Sequence, residues 1–150
     1  MLDGLVFNGQ FDKVEKADGG LRVVDYKTGE PDKHIKALEK CSDLASEDCD
    51  DYLRQLVAYK MLYDSSYRGR SVMSGQLVFL DPVKLTVKKY GLEEGAFVKK
   101  VIWLTLEMVQ EYEKLLRHLW GDIRNLRFDK LPERDEKKCG FCPYDRVCWR

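Results

Sequence analysis

Apolar and polar positions first alternate and then recur with a helical period, and the changes of period mark out the elements. Residues 9–27 hold two strand-like runs broken by Asp18-Gly19, a dipeptide that favours a two-residue hairpin turn. A polar stretch from 29 to 50 follows, with a short helix around His34 to Lys40. Asp50 or Asp51 then caps a helix running to about Tyr63, with no Pro or Gly inside it. On that helix Leu53, Leu56 and Val57 make an apolar stripe, while Tyr52, Gln55, Tyr59 and Tyr63, at offsets of three and four, make a polar-tipped one. Ser71 to Leu80 reads as a third strand, Asp81-Pro82 as a turn, and Lys84 to Tyr90 as a fourth strand in a hairpin with the third. Phe97 to Leu104 reads as a fifth. Thr105 caps a long helix whose Leu106, Val109, Tyr112, Leu116, Leu119, Ile123 and Leu126 keep helical spacing, a stripe expected to be core. Strand, strand, helix, three strands, helix predicts an α/β fold with a mixed central sheet flanked by helices.

Composition bounds this picture. With 150 residues and 44% hydrophobic content, 1–150 suffices for a single domain with one core. No apolar run approaches the ~20 residues of a membrane span and no signal peptide opens the sequence, so a cytoplasmic protein with no membrane partner is expected. Disulfides are not expected in that compartment. Net charge is zero but unevenly spread: residues 30–51 hold eight acids against three lysines, and 124–150 hold eight Lys and Arg against five acids. The basic C-terminal stretch suits a nucleic-acid backbone, and a solvated mixed-charge surface fits it as well. His34 and His118 read as spare titratable groups, with His118 packed or partly exposed beside the long helix's apolar stripe. Trp103 and Trp120 fall in expected core elements, which leaves Trp149 to stack a base. Arg54, beside Gln55, meets a phosphate or solvent.

The hairpin carries the chemistry. Alternate residues of a strand share a face, so Asp25 and Lys27 point the same way. If Ala17 pairs with Gly20 across a two-residue turn, counting outward sets Asp12 opposite Asp25, and two carboxylates and an ammonium converge within roughly 5–7 Å. A three-residue loop would put Asp12 opposite Tyr26, on the other face. The converged cluster suits phosphodiester cleavage: hard carboxylate oxygens hold Mg²⁺ or Mn²⁺, which polarises the phosphate and generates hydroxide, with Lys27 orienting the water or stabilising charge. Taken alone, Asp-x-Lys also fits a surface hairpin with weak cross-strand ion pairs.

The flanking residues decide between these. Gly9-x-x-Asp12, then Val23-Val24-Asp25-Tyr26-Lys27-Thr28-Gly29, then Gln55-Leu56-x-x-Tyr59, resembles in order and spacing the motif series of the RecB-type branch of the PD-(D/E)XK nucleases. The resemblance implies the restriction-endonuclease-like fold. It also implies metal ligation by Asp12, Asp25 and the backbone carbonyl of Tyr26, a catalytic role for Lys27 and Gln55, and Gln55 and Tyr59 lining the site near DNA.

At the other end Cys139-Gly-Phe-Cys142-Pro-Tyr-Asp-Arg-Val-Cys148 gives Cys-x2-Cys-x5-Cys after the long helix. This motif, 139–148, resembles the C-terminal triplet of the iron–sulfur nucleases, a group including AddB subunits and the CRISPR adaptation nucleases. There three late cysteines join one far upstream on a [4Fe–4S] cluster, which needs four thiolates. In this sequence the eleven residues before Asp12 hold no Cys and no His, so the expectation is a fragment lacking the family's upstream helical segment. Cys41 or Cys49 as a substitute ligand, and zinc in place of the cluster, are the alternatives.

The resemblance implies a Mg²⁺- or Mn²⁺-dependent deoxyribonuclease of DNA repair or recombination, an exonuclease on single-stranded ends that works with a fused or bound helicase. A CRISPR adaptation nuclease is the nearest alternative. A non-catalytic DNA-binding or scaffold module of a helicase–nuclease complex is the alternative of another class, and a zinc-ribbon interaction protein would leave the hairpin unexplained.

Overall fold

The computed structural model of the chain describes residues 4–17, 19–80, 88–93 and 95–149. They form two compact units, Met1–Arg117 and His118–Arg150. The first holds β1 (Lys13–Ala17), β2 (Gly20–Lys27), α1 (Pro31–Lys40), α2 (Asp51–Ser66), β3 (Val72–Phe79) and β4 (Val98–Trp103), and α3 (Leu106–Arg124) begins in it. The second holds the end of α3 and two single-turn helices, α4 (Glu136–Cys139) and α5 (Asp145–Cys148). No described helix is long and apolar enough to cross a membrane.

The described strands make one mixed sheet in the order β1-β2-β3-β4, flanked by helices as the pattern predicts. β1 and β2 are antiparallel, with Ala17 opposite Gly20 and Lys13 opposite Val24. β2 and β3 are parallel, and α1 and α2 supply the crossover that a parallel pair requires. β3 and β4 are antiparallel.

α2 is what fixes the geometry of the first unit. Asp50 caps it, its Oδ1 accepting the Tyr52 N–H at 2.9 Å. Leu53, Leu56 and Val57 are buried with Val23, Leu77 and Phe79 of the sheet, the core expected of the apolar stripe. Gly75 of β3 lets the helix come this close. A Cβ there would lie 2.8 Å from Leu56 Cδ1, so any side chain would force Leu56, or the helix that carries it, to shift. Buried Lys60 anchors the far end of α2, with Nζ donating to Asp64 Oδ2 at 2.9 Å, to Ser71 Oγ at 3.0 Å and to the Val72 carbonyl.

Four expectations change. Residues 84–87 of the anticipated fourth strand lie outside the described residues, and Lys88 and Lys89 form a helical turn rather than strand. That turn is held from α1, since Asp32 takes Lys89 Nζ at 2.6 Å and the Tyr90 hydroxyl at 3.1 Å. The antiparallel partner of β3 is instead β4, from the stretch read as the fifth strand. No residue of α3 is fully buried, and only part of its expected core stripe touches the core. Met108, Val109 and Tyr112 pack against the buried cluster, whereas Leu106, Leu119, Ile123 and Leu126 are exposed. Helical period shows which side chains share a face, and says nothing of what lies under it. Trp103, expected in the core, is exposed at the end of β4.

The fourth correction is covalent. Cys41 and Cys49 form a disulfide, against the expectation of reduced cysteines. The loop between them is drawn in by Arg54, which donates to the carbonyls of Leu44, Ser46 and Cys49 and pairs with Asp51. Arg54 therefore holds the loop from the first turn of α2.

Candidate active site

β2 delivers Asp25 and Lys27 to the face covered by α2, and sends the Tyr26 side chain to the other, where its ring is exposed. The two-residue connection of the hairpin, on which the position of Asp12 depends, is present. Asp12 lies one residue before β1, and its Oδ2 accepts the Tyr26 N–H at 2.9 Å. The carboxylate thus stands in for the ladder where pairing of β1 ends. Phe11 fixes this segment from the side, edge-on to Tyr59 at 5.3 Å and to Tyr63 at 6.0 Å. Gly9 passes against α2 so closely that a Cβ would lie 2.9 Å from Leu62 Cδ1.

α2 supplies the opposing wall. Gln55 and Tyr59 are one turn apart on one face, and with β2 they close a ring of contacts. Lys27 Nζ donates to Gln55 Oε1 at 2.6 Å, Gln55 Nε2 donates to the Tyr59 hydroxyl at 2.7 Å, and that hydroxyl donates to Asp25 Oδ1 at 3.2 Å. The ring closes through Asp25 Oδ2, 2.6 Å from Lys27 Nζ. Asp25 is only 2% exposed, and Lys27 is the cation beside it. The Lys27 contact is an ion pair without hydrogen-bond alignment, which leaves the buried Oδ2 with no hydrogen bond. Burial raises the Tyr59 phenol above its usual value, and the charges of Asp25 and Asp12 add to the effect. Tyr59 is thereby kept a donor.

A second row stands behind Lys27. The ammonium lies 4.1 Å from the centroid of the Tyr52 ring, which stacks on His34 at 4.2 Å. His34 Nδ1 is 2.8 Å from Oδ2 of the capping Asp50. Sequence reasoning put Tyr52 on the site-facing stripe but treated His34 as spare. No spacing rule links His34 to Lys27, because α1 and α2 bring them together only in the folded chain.

The site suits a hard divalent cation in its donor chemistry: two carboxylates, one with a buried oxygen lacking a hydrogen bond. Among the described residues no three His, Cys, Asp or Glu side chains form a group able to hold an ion, so further ligands would be backbone oxygen or water. Among the described residues the cysteines form no group able to hold a metal ion. Cys139, Cys142 and Cys148 are free thiols in the second unit, Cys139 buried at the end of α4, and Cys41 and Cys49 have no thiolate to give. What organises the Cys139–Cys148 segment is Arg134, which pairs with Asp145 and Glu136. Trp149 carries the Lys130 ammonium over its ring at 4.1 Å. His118 is exposed, 3.3 Å from Asp122.

Known proteins similar to this chain include the Gene 69 protein of Mycobacterium phage D29, 26% identical over 150 residues, covering 98% of this chain and 44% of that protein. The crystal structure of SSO0001 superposes with a TM-score of 0.42 at 17% identity, covering 91% of this chain and 48% of that one. The chain therefore spans under half the length of both. The profile of the PD-(D/E)XK nuclease superfamily matches residues 2–149, which takes in the hairpin, α2 and the cysteine segment, and the chain belongs to that superfamily.

Proposed function

We propose that the chain is a metal-dependent deoxyribonuclease that hydrolyses phosphodiester bonds at Asp12, Asp25, Lys27, Gln55 and Tyr59. The observation that carries this is the closed ring joining Asp25, Lys27, Gln55 and Tyr59, with Asp12 just ahead of the adjoining strand. A surface hairpin would leave its acids and lysine in water, whereas Asp25 is buried and Lys27 is held from three sides.

Asp12, Asp25 and the Tyr26 carbonyl are the proposed ligands of Mg²⁺ or Mn²⁺, which when bound polarises the phosphate and lowers the pKa of a water. Lys27 brings its three Nζ protons to the edge of that carboxylate pair, where they orient the attacking water or meet the charge that builds on phosphorus oxygens. Gln55 fixes Lys27 and Tyr59 at once, and Tyr59 holds Asp25 in place through its hydroxyl proton. The RecB-type order of motifs supports DNA as the substrate, single-stranded ends as its form, and a helicase as the partner that exposes them.

The test is degradation of end-labelled single- and double-stranded DNA with Mg²⁺ or Mn²⁺, beside a Lys27→Ala variant and an EDTA control. Cleavage lost in both controls supports the reading. An unaltered chain that leaves both substrates intact overturns the view that these 150 residues suffice for catalysis.

A further inference from the structure

Lys27 ends a flexible four-carbon stem, and a lysine free to sample its rotamers would spend little time aimed at a reacting phosphate. Two of its restraints, Asp25 and Gln55, are polar groups of the site itself. The third is not. The face of Tyr52 lies against the ammonium at 4.1 Å, and the ring has its own supports. The His34 imidazole stacks on it with a 27° interplanar angle. Asp50 fixes both members: Oδ1 takes the Tyr52 backbone N–H at 2.9 Å and Oδ2 meets His34 Nδ1 at 2.8 Å. The cap of α2 is thus the base of a bracket that ends at the lysine. Phe79, 6.2 Å from His34 and fully buried, backs it from β3.

We infer that Tyr52, braced by His34 and Asp50, is a positioning residue for Lys27 in phosphodiester cleavage, holding the ammonium with its π face. The inference rests on the nuclease reading for its consequence, though not for its geometry. An aromatic face suits this role because it attracts the cation as a whole without fixing one N–H direction. A phosphate oxygen or the attacking water, both better acceptors, can take a proton from beside it. A carboxylate in place of Tyr52 would instead hold the ammonium permanently. The phenol hydroxyl has no part in this, so the ring alone should be sufficient.

The experiment compares Tyr52→Leu, Tyr52→Phe and His34→Ala in steady-state cleavage of end-labelled DNA, with thermal unfolding of each. Tyr52→Leu is expected to lower kcat about tenfold, the scale of one lost cation–π contact, with KM for DNA unchanged. Tyr52→Phe restores most of the rate, and His34→Ala gives a smaller loss of kcat alone. Equal losses in Tyr52→Leu and Tyr52→Phe, or a loss that appears in KM instead, would overturn the assignment. A readout independent of cleavage is the NMR shift of the Lys27 ε-methylene, assigned by its absence in Lys27→Arg. The ring current of Tyr52 should displace it in the unaltered chain and in Tyr52→Phe, and Tyr52→Leu should relieve the displacement. A resonance indifferent to Tyr52→Leu refutes the bracket whether or not the chain cuts DNA, while absent cleavage with an intact ring-current effect refutes only the nuclease reading.

Discussion

Asp25 and Tyr59 carry opposite electrostatic burdens, and each gives an expected outcome. The Asp25 carboxylate is buried with one oxygen lacking a hydrogen bond, so a cation that binds there should bind the folded chain alone. Millimolar Mn²⁺ is expected to raise the unfolding midpoint of the unaltered chain, by about 2.7 kcal/mol of stability at a hundred times Kd, and to leave Asp25→Asn unmoved. An equal rise in both would remove Asp25 from the metal site. Tyr59 responds to pH. Its folded pKa lies above the ordinary 10.0, through burial and the neighbouring carboxylates, so above pH 10 the folded chain retains a proton that the unfolded chain has lost. Stability therefore falls as pH rises from 10 toward the folded pKa, and is unaffected by this group below 10. Denaturant titrations at pH 9 and 11 should show a smaller alkaline loss for Tyr59→Phe. The loss will not vanish, because Tyr90 and Tyr112 are shifted in the same direction by burial. The strand's period of two put Asp25 and Lys27 on one face and the helix's spacing of four put Gln55 and Tyr59 on another, and only the RecB-type order of motifs said that the two faces meet. Asp12 followed from the turn length. His34 escaped both rules, since its neighbours belong to other elements.

Among the elements, α2 links fold to site, and its distance from the sheet is set at one place. Gly75 meets Leu56, which is completely buried. Gly75→Ala is expected to cost about 1–3 kcal/mol by overpacking, and to lower cleavage by lifting Gln55 and Tyr59 away from Asp25. Leu56→Ala should cost about 2–5 kcal/mol through the cavity it leaves. The informative measurement is the double variant. If the two residues share one contact, Gly75→Ala with Leu56→Ala will lose markedly less than the sum of the single losses, and simple additivity would refute the contact. The sequence pattern found α2, its cap and its buried stripe, because an amphipathic helix with an Asp at its start carries all three signals locally. It misjudged the outer half of α3 and the stretch at Lys88–Tyr90 for a common reason. A periodic apolar face and an alternating run are necessary for core and strand, but packing partners elsewhere decide whether either forms.

At the scale of the whole chain the unexpected feature is the Cys41–Cys49 disulfide, and the expectation failed because it came from compartment rather than geometry. Seven residues lie between the two cysteines, and Arg54 gathers the carbonyls of Leu44, Ser46 and Cys49 so that the ends meet beside the cap of α2. Closing so short a loop removes about 2–3 kcal/mol of chain entropy from the unfolded state, and reduction should lower stability by that order. The bonds of Arg54 remain after reduction, so the fold should survive with its loop loosened, and cleavage should fall less than stability. The count of thiols checks the premise directly. Of five cysteines, three are free, so titration of the denatured chain without reductant should find three thiols, and five after reduction. In the folded chain Cys142 and Cys148, both partly exposed, should be alkylated first, with buried Cys139 following only as its segment opens. Five thiols before reduction would remove the cross-link. Three that resist alkylation together, with iron or zinc bound in stoichiometric amount, would instead show that Cys139, Cys142 and Cys148 gather around a metal in the working protein.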